Sequence, residues 1–261
     1  MPCRKKIFTL ELKGEITVVL SVGFRYQTSK EVSTSNLGGT TTLLVLCILH
    51  RAFLFWRQMT KDNCKNSIKL LIEGILGGLM IAIGMMVLLN CPDKVIGAIL
   101  FAVGLLTINK FGLGLYTGKI GFVRNGYQLV VALFTLIANT IGCLVMLAYP
   151  TNGAVASLQT KMAFSHWELF LKGVVCGILI YICVANKDKP LYTIFAVPAF
   201  ILCGAEHSIA DIALCFASKE FSVESFVFIV IIALGNAVGS LLISLLLQLR
   251  DKLVQPKEDQ K

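Results

Sequence analysis

The sequence predicts an all-α polytopic membrane protein with six transmembrane helices in an inverted 3+3 repeat, two of the helices being broken. Hydrophobic residues make up 56% of the 261 and charged residues 15%, with a mean hydropathy of +0.78, beyond the range of an ordinary soluble domain. Apolar windows of about 20 residues, the length a helix needs to cross about 30 Å of hydrocarbon, recur six times between residues 68 and 249. Short motifs of the first three windows return in the last three.

Residues 1–58 form an N-terminal extension ahead of the membrane domain, which covers 59–261. The extension mixes charges with β-prone pieces such as Ile16-Thr17-Val18-Val19-Leu20. Its apolar run, Thr42 to Trp56, contains His50 and Arg51 and is too short and too charged to span, so an interfacial helix is the expectation there. Two readings of the extension stay open: it is part of the native chain, or translation begins at Met59.

The six windows run approximately 68–89, 95–117, 127–149, 166–185, 191–217 and 222–249. Segments such as Val227-Phe228-Ile229-Val230-Ile231-Ile232 are continuously apolar, whereas strands of a membrane barrel alternate lipid-facing and lumen-facing residues. Glu73-Gly74-Ile75-Leu76-Gly77-Gly78 in the first window is echoed by Lys172-Gly173-Val174-Val175-Cys176-Gly177 in the fourth. Ala138-Asn139-Thr140-Ile141-Gly142 in the third is echoed by Gly235-Asn236-Ala237-Val238-Gly239 in the sixth. Three spans per half place the halves in opposite orientations. The second window is interrupted at Ile108 to Gly118 and the fifth at Gly204 to Asp211. Unwound backbone is tolerated in a membrane only where protein buries it or where it lines a cavity, so the two breaks point to a shared central site.

The chain carries a net charge of +9, but residues 1–58 hold eight Lys or Arg against three Glu, leaving +4 for the rest. Nucleic acid is not an expected partner. Lys119, Arg124, Lys187, Lys189, Arg250, Lys252, Lys257 and Lys261 fall on one side of the spans and Lys94, Lys161, Lys172 and Lys219 on the other. The positive-inside rule then makes both termini cytoplasmic, and a plasma (inner) membrane is the expected setting. Nine cysteines stand singly, without a C-x-x-C pair, and read as small buried hydrophobes. Neither a phosphate-binding loop nor a dinucleotide fingerprint appears, and no cofactor or metal is expected.

Glu206, His207 and Asp211 interrupt an otherwise apolar span. Ionisable groups at that depth are costly, and a chain that keeps them there is expected to handle an ion or a proton with them. His166 beside Trp167 belongs instead to the interfacial belt.

Three motifs carry a resemblance. Phe101-Ala102-Val103-Gly104-Leu105 leads into Gly112-Leu113-Gly114-Leu115-Tyr116-Thr117-Gly118, and Gly204-Ala205-Glu206-His207-Ser208-Ile209-Ala210 and Gly235-Asn236-Ala237-Val238-Gly239 follow. Over residues 66–250 the chain resembles the formate/nitrite transporter family, pentameric channels with an aquaporin-like protomer. The resemblance implies His207 as the central pore histidine, Thr117 as its hydrogen-bonding partner on the opposite loop, and Glu206 as the buried carboxylate beside it. It implies a cytoplasmic constriction at Leu105 and Tyr116, a second at Phe101 and Phe200, a vestibule lysine at Lys161, and supporting roles for Asn139 and Asn236. Asp211 and Gly177 stand where the family usually has Asn, and Tyr116 where it has Phe.

The expected function is a channel for small monovalent anions or their conjugate acids, such as formate, nitrite, hydrosulfide and short carboxylates. Its partners are the anion, protons and the lipid bilayer, in a homopentamer implied by the resemblance. Lys161 would draw the anion in and His207 would donate or relay a proton, since protonation removes the cost of carrying a charge through an apolar gap. Competing readings remain for each residue: a helix-tying His207, a purely structural Glu206, an Asp211 or Thr117 that caps a helix, ordinary packing for the aromatic gates, and a solvated loop lysine at 161. Two other classes compete with the whole: an aquaporin-like neutral-solute channel, and a haem-binding redox subunit using His166 and His207.

Overall fold

In the computed structural model, the described residues are 7–12, 16–21, 64–149 and 151–254. The chain divides into two units, Met1–Ala52 and Phe53–Lys261. In the first, β1 (Ile7–Leu12) and β2 (Ile16–Ser21) pair antiparallel, Ile7 opposite Ser21 and Leu12 opposite Ile16. This hairpin departs from the all-α expectation, and the β-branched run from Ile16 to Val19 is its local cause. The expected interfacial helix at 42–56 and the alternative start at Met59 lie outside the described residues.

The second unit is built of helices. They are α1 (Cys64–Asn90), α2 (Lys94–Phe111), α3 (Tyr116–Ile120), α4 (Gly126–Cys143), α5 (Ala154–Met162), α6 (His166–Ala185), α7 (Pro190–Leu202), α8 (Ser208–Ser218) and α9 (Val223–Val254). A 3-10 turn, Leu144–Leu147, prolongs α4. Among the described residues, five segments are long and apolar enough to cross a membrane: Asn66–Asn90, Lys94–Phe111, Gly126–Leu147, His166–Ala185 and Val223–Val254. The window expected at 191–217 is divided between the shorter apolar helices α7 and α8.

Local chemistry sets these boundaries. Asp93 caps α2 by accepting the Val95 and Ile96 N–H groups at 2.8 and 2.9 Å, and Gly112 ends it in the left-handed conformation, φ 65°, which glycine adopts without a Cβ penalty. Ser165 and Glu168 form a capping box at the start of α6. The stretch 150–165, whose polar composition reads as a loop, contains α5. Ala154 and Leu158, one turn apart, are its buried residues, and this spacing gives a short helix an apolar edge to bury.

Two helix pairs pack closely, α1 with α4 and α6 with α9. A Cβ at Gly78 would lie 2.0 Å from the Asn139 carbonyl oxygen, and one at Gly177 would lie 2.2 Å from that of Asn236. No side chain fits at either place, so the sequence's departure at Gly177 is required by this helix approach. The contact brings the two asparagines to the chain ends they serve. Asn139 Oδ1 accepts the Tyr116 N–H at 2.9 Å, and its Nδ2 donates to the carbonyls of Gly114 at 2.8 Å and Gly74 at 2.7 Å. Asn236 Oδ1 accepts the Ser208 N–H at 2.9 Å, and its Nδ2 donates to the carbonyls of Glu206 at 2.8 Å and Gly173 at 2.9 Å. Alongside these, the Gly114 N–H donates to the Glu73 carbonyl at 3.1 Å and the Glu206 N–H to the Lys172 carbonyl at 3.3 Å.

Gly177→Ala is expected to destabilise the unit by about 1–3 kcal/mol through overpacking. Gly126→Ala, where an added Cβ meets nothing within 4 Å, is the control. Thermal unfolding of the purified protein in detergent checks this, with a lowered midpoint for Gly177→Ala and an unchanged one for Gly126→Ala.

Candidate functional site

His207 is the residue just before α8. The residue has extended backbone, and its Nδ1 accepts the Ala210 N–H at 3.1 Å, so the imidazole itself is the helix cap. Its Nε2 lies 2.8 Å from the hydroxyl of Thr117 on α3. Both side chains are buried, at 2% and 1% exposure. A neutral imidazole has one donor and one acceptor nitrogen. With Nδ1 accepting, the ring proton is on Nε2 and donates to Thr117 Oγ1. Asp211, offered by the sequence as a possible cap, does not cap; the imidazole, four residues earlier, has taken that place.

A cavity of about 520 Å³ reaches His207 from one side, walled by Phe101, Phe200, Glu206, Lys161 and Lys172 among others. The Phe200 ring stacks on His207 with centroids 6.0 Å apart. Phe101 meets Phe200 edge to face at 6.1 Å. The aromatic pair and the imidazole thus form a continuous floor. Leu105, Tyr116 and Thr117 do not line this cavity. Leu105 and Tyr116 are buried, and the Tyr116 hydroxyl donates to the Ala233 carbonyl at 3.1 Å. That bond gives the tyrosine's extra oxygen a partner.

Lys161, near the end of α5, donates to both Glu206 and Asp211, the latter at 2.7 Å. The solvated-loop reading of this lysine is therefore corrected, because two carboxylates face its ammonium. Burial by itself would lower the Lys161 pKa, but Asp211 and Glu206 outweigh it and hold the pKa above the ordinary lysine value. Asp211 is fully buried, and its Oδ2 and the Ser208 hydroxyl have no hydrogen-bond partner.

Sequence reasoning left Lys172 and Lys94 out of the site, yet both line the cavity. Lys172 Nζ donates to the Gly204 carbonyl at 3.2 Å and lies 3.7 Å over the Phe164 ring. The signal was present in the charge asymmetry, which groups Lys94, Lys161 and Lys172 on one side. His166 lies away from His207, on a separate cavity with Leu169 and Phe228. Both ring nitrogens of His207 are engaged, which counts against the haem-ligand reading. No cluster of three His, Cys, Asp or Glu that could hold a metal is found among the described residues.

The family model for the formate/nitrite transporter matches residues 54–249. The chain belongs to the formate/nitrite transporter family. It is therefore a multi-pass membrane transport protein and not an enzyme. Solved structures share the fold. One titled "FNT family ion channel" is 18% identical with a TM-score of 0.63, over 76% of this chain and 95% of its own. A "Pentameric formate channel with formate bound" is 20% identical with a TM-score of 0.63, over 74% of this chain and 100% of its own. No curated protein matches.

Lys161→Met leaves two buried carboxylates against each other, and removing one partner of a buried ionic cluster costs about 3–5 kcal/mol. The raised lysine pKa means that the stability it contributes is complete below the ordinary lysine pKa and is lost only in strongly alkaline solution. The variant therefore melts lower at neutral pH. The deficit narrows as acid protonates the stranded carboxylates, and melting curves across pH are the check.

Proposed function

We propose that the chain is a channel for a small monovalent anion or its conjugate acid, of the formate, nitrite, hydrosulfide and short-carboxylate class, with proton-linked passage past His207. The observation that carries this reading is the floor of the cavity. A buried imidazole whose Nε2–H meets Thr117 sits beneath two phenylalanines and beside lysines. An anion drawn to the lysines cannot enter the aromatic gap cheaply while charged, because burying an isolated charge costs several kcal/mol even after relaxation. Protonation removes that cost, and His207 is the hydrogen-bond donor and proton relay at the point where it is needed. Giving up the Nε2 proton while taking one at Nδ1 releases the Ala210 N–H, so the relay is linked to the first turn of α8.

The matching bonds of Asn139 and Asn236 support reading the membrane unit as an inverted 3+3 repeat whose two breaks, one after α2 and one between α7 and α8, meet at the conduction path. On this reading Phe101 and Phe200 form one constriction and Leu105 and Tyr116 the other. The working form is a homopentamer in the plasma membrane with both termini cytoplasmic, which the pentameric formate channel of the same fold and the positive-inside asymmetry support. One observation favours the runner-up, an aquaporin-like neutral-solute channel: the carboxylates facing Lys161 blunt its pull on anions.

Proteoliposomes tested with formate, nitrite, hydrosulfide and lactate separate the two. Uptake of at least one weak acid is expected to rise as external pH falls, and His207→Asn is expected to lower that uptake by about tenfold or more. Unchanged pH-dependent uptake in His207→Asn would overturn the role given to the histidine. Passage of a labelled neutral solute without response to any of the anions would favour the runner-up.

A further inference from the structure

We propose that Lys161, Glu206 and Asp211 form a proton-holding triad, in which two carboxyl groups share one exchangeable proton beside one ammonium, and that this triad supplies the proton taken by the permeating anion. The inference rests on the weak-acid channel reading and deepens it by naming where the proton resides before transfer.

The geometry supports this in three ways. Two carboxylates on one ammonium leave a formal charge of one negative in a buried cluster, with Asp211 wholly enclosed and Glu206 5% exposed at its side chain. Such an excess is disfavoured away from water, and two carboxylates sharing a site resolve it by keeping one proton between them. Asp211 also has one oxygen too many for its partners: Oδ1 accepts from Lys161, while Oδ2 is buried and unpartnered. A carboxyl oxygen that accepts nothing in an enclosed site is where a proton is accommodated at least cost. Finally, the cluster is in reach of the permeant, because Lys161 and Glu206 line the same cavity wall as His207 whereas Asp211 lies behind them. The proton rests in the protein and leaves at the surface the anion touches.

The groups facing Asp211 do not supply the missing positive charge. Lys161 reaches it from α5, Glu206 and His207 precede it, Cys176 faces it from α6, and Cys215 lies one turn onward in α8. His207 is engaged at both nitrogens and neutral, and the thiols are neutral. Lys172 acts on the Glu206 side, where it binds the Gly204 carbonyl.

The step balances. The anion arrives at the cavity wall formed by Lys161, Lys172 and Glu206 and takes one proton from the triad, so that a neutral acid forms and the triad passes from net neutral to one negative. The Lys161 ammonium has three N–H groups, two of them engaged, and can pass the proton outward while Asp211 restores it. A proton from the cavity water then reloads the triad. The reloaded state admits the next anion, whereas the unloaded state repels it.

Asp211→Asn removes one carboxyl group and leaves a simple Lys161 to Glu206 pair with no excess proton. The full-length chain reconstituted in liposomes is assayed with labelled formate and an internal pH dye, and its carboxyl groups are read by infrared spectroscopy. For the wild type, one proton enters per formate, uptake falls by about tenfold per pH unit above the triad's transition, and a protonated-carboxyl band is present at neutral pH. In Asp211→Asn the band disappears and the pH dependence flattens. The infrared reading on the wild type does not depend on how well that variant folds, and Glu206→Gln should remove the same band. A wild type without the band, or Asp211→Asn with the band, the proton ratio and the pH profile unchanged, would overturn the triad while leaving the channel reading intact. Wild-type liposomes that take up none of formate, nitrite or hydrosulfide would overturn the channel reading and the donor role with it.

Discussion

Backbone groups set free where helices stop inside an apolar bundle have no water to bind, and the arrangement around the site follows from satisfying them. Asn139 and Asn236 each accept one N–H at the start of a half-helix and donate to two carbonyls, one just before that start and one on the neighbouring long helix. Each asparagine thus ties three segments together with a single side chain. Without it, the N–H at the half-helix start and the carbonyl just before it would be stranded, each at a cost of about 1–3 kcal/mol. Gly78 and Gly177 are the condition for this, since any side chain there would push the asparagine's own backbone away.

The same economy explains the functional side chains. His207 caps α8 with one nitrogen and turns the other toward Thr117, so one residue closes a helix end and ties α8 to α3. The charges beside it are used just as locally. Lys161 is held by two carboxylates, so the positive character of the cavity wall also involves Lys172, whose ammonium is steadied by a carbonyl and an aromatic face. The vestibule is a balanced electrostatic surface in which small changes of protonation alter the net charge. A weak acid, which is itself charged or neutral according to one proton, is the kind of solute such a surface can sort.

Much of this was legible in the sequence because the constraints on buried backbone leave residue-level marks. The glycines and asparagines of the repeated motifs are visible as letters and recur as geometry, with Gly74 and Gly173 as matching acceptors. His207 was conspicuous because a polar residue in an apolar span needs a reason. Less legible was anything that depended on long-range pairing. Lys161 and its carboxylates are 45 and 50 residues apart, and no periodicity connects them. α5 escaped notice because one buried edge of Ala154 and Leu158 is too short a pattern to stand out from a polar segment. Asp211 read either as a proton group or as a cap, because carboxylates are common caps, whereas an imidazole caps α8.

The site depends on a His207 that is neutral and divided in function, with Nδ1 holding the backbone of α8 and Nε2–H presented to Thr117. Nitrogen-15 NMR of histidine-labelled protein in lipid bilayers at neutral pH tests it directly. His207 is expected to show an unprotonated, hydrogen-bond-accepting Nδ1 and a protonated Nε2. A ring protonated at Nδ1, whether as the other tautomer or as an imidazolium, would contradict it.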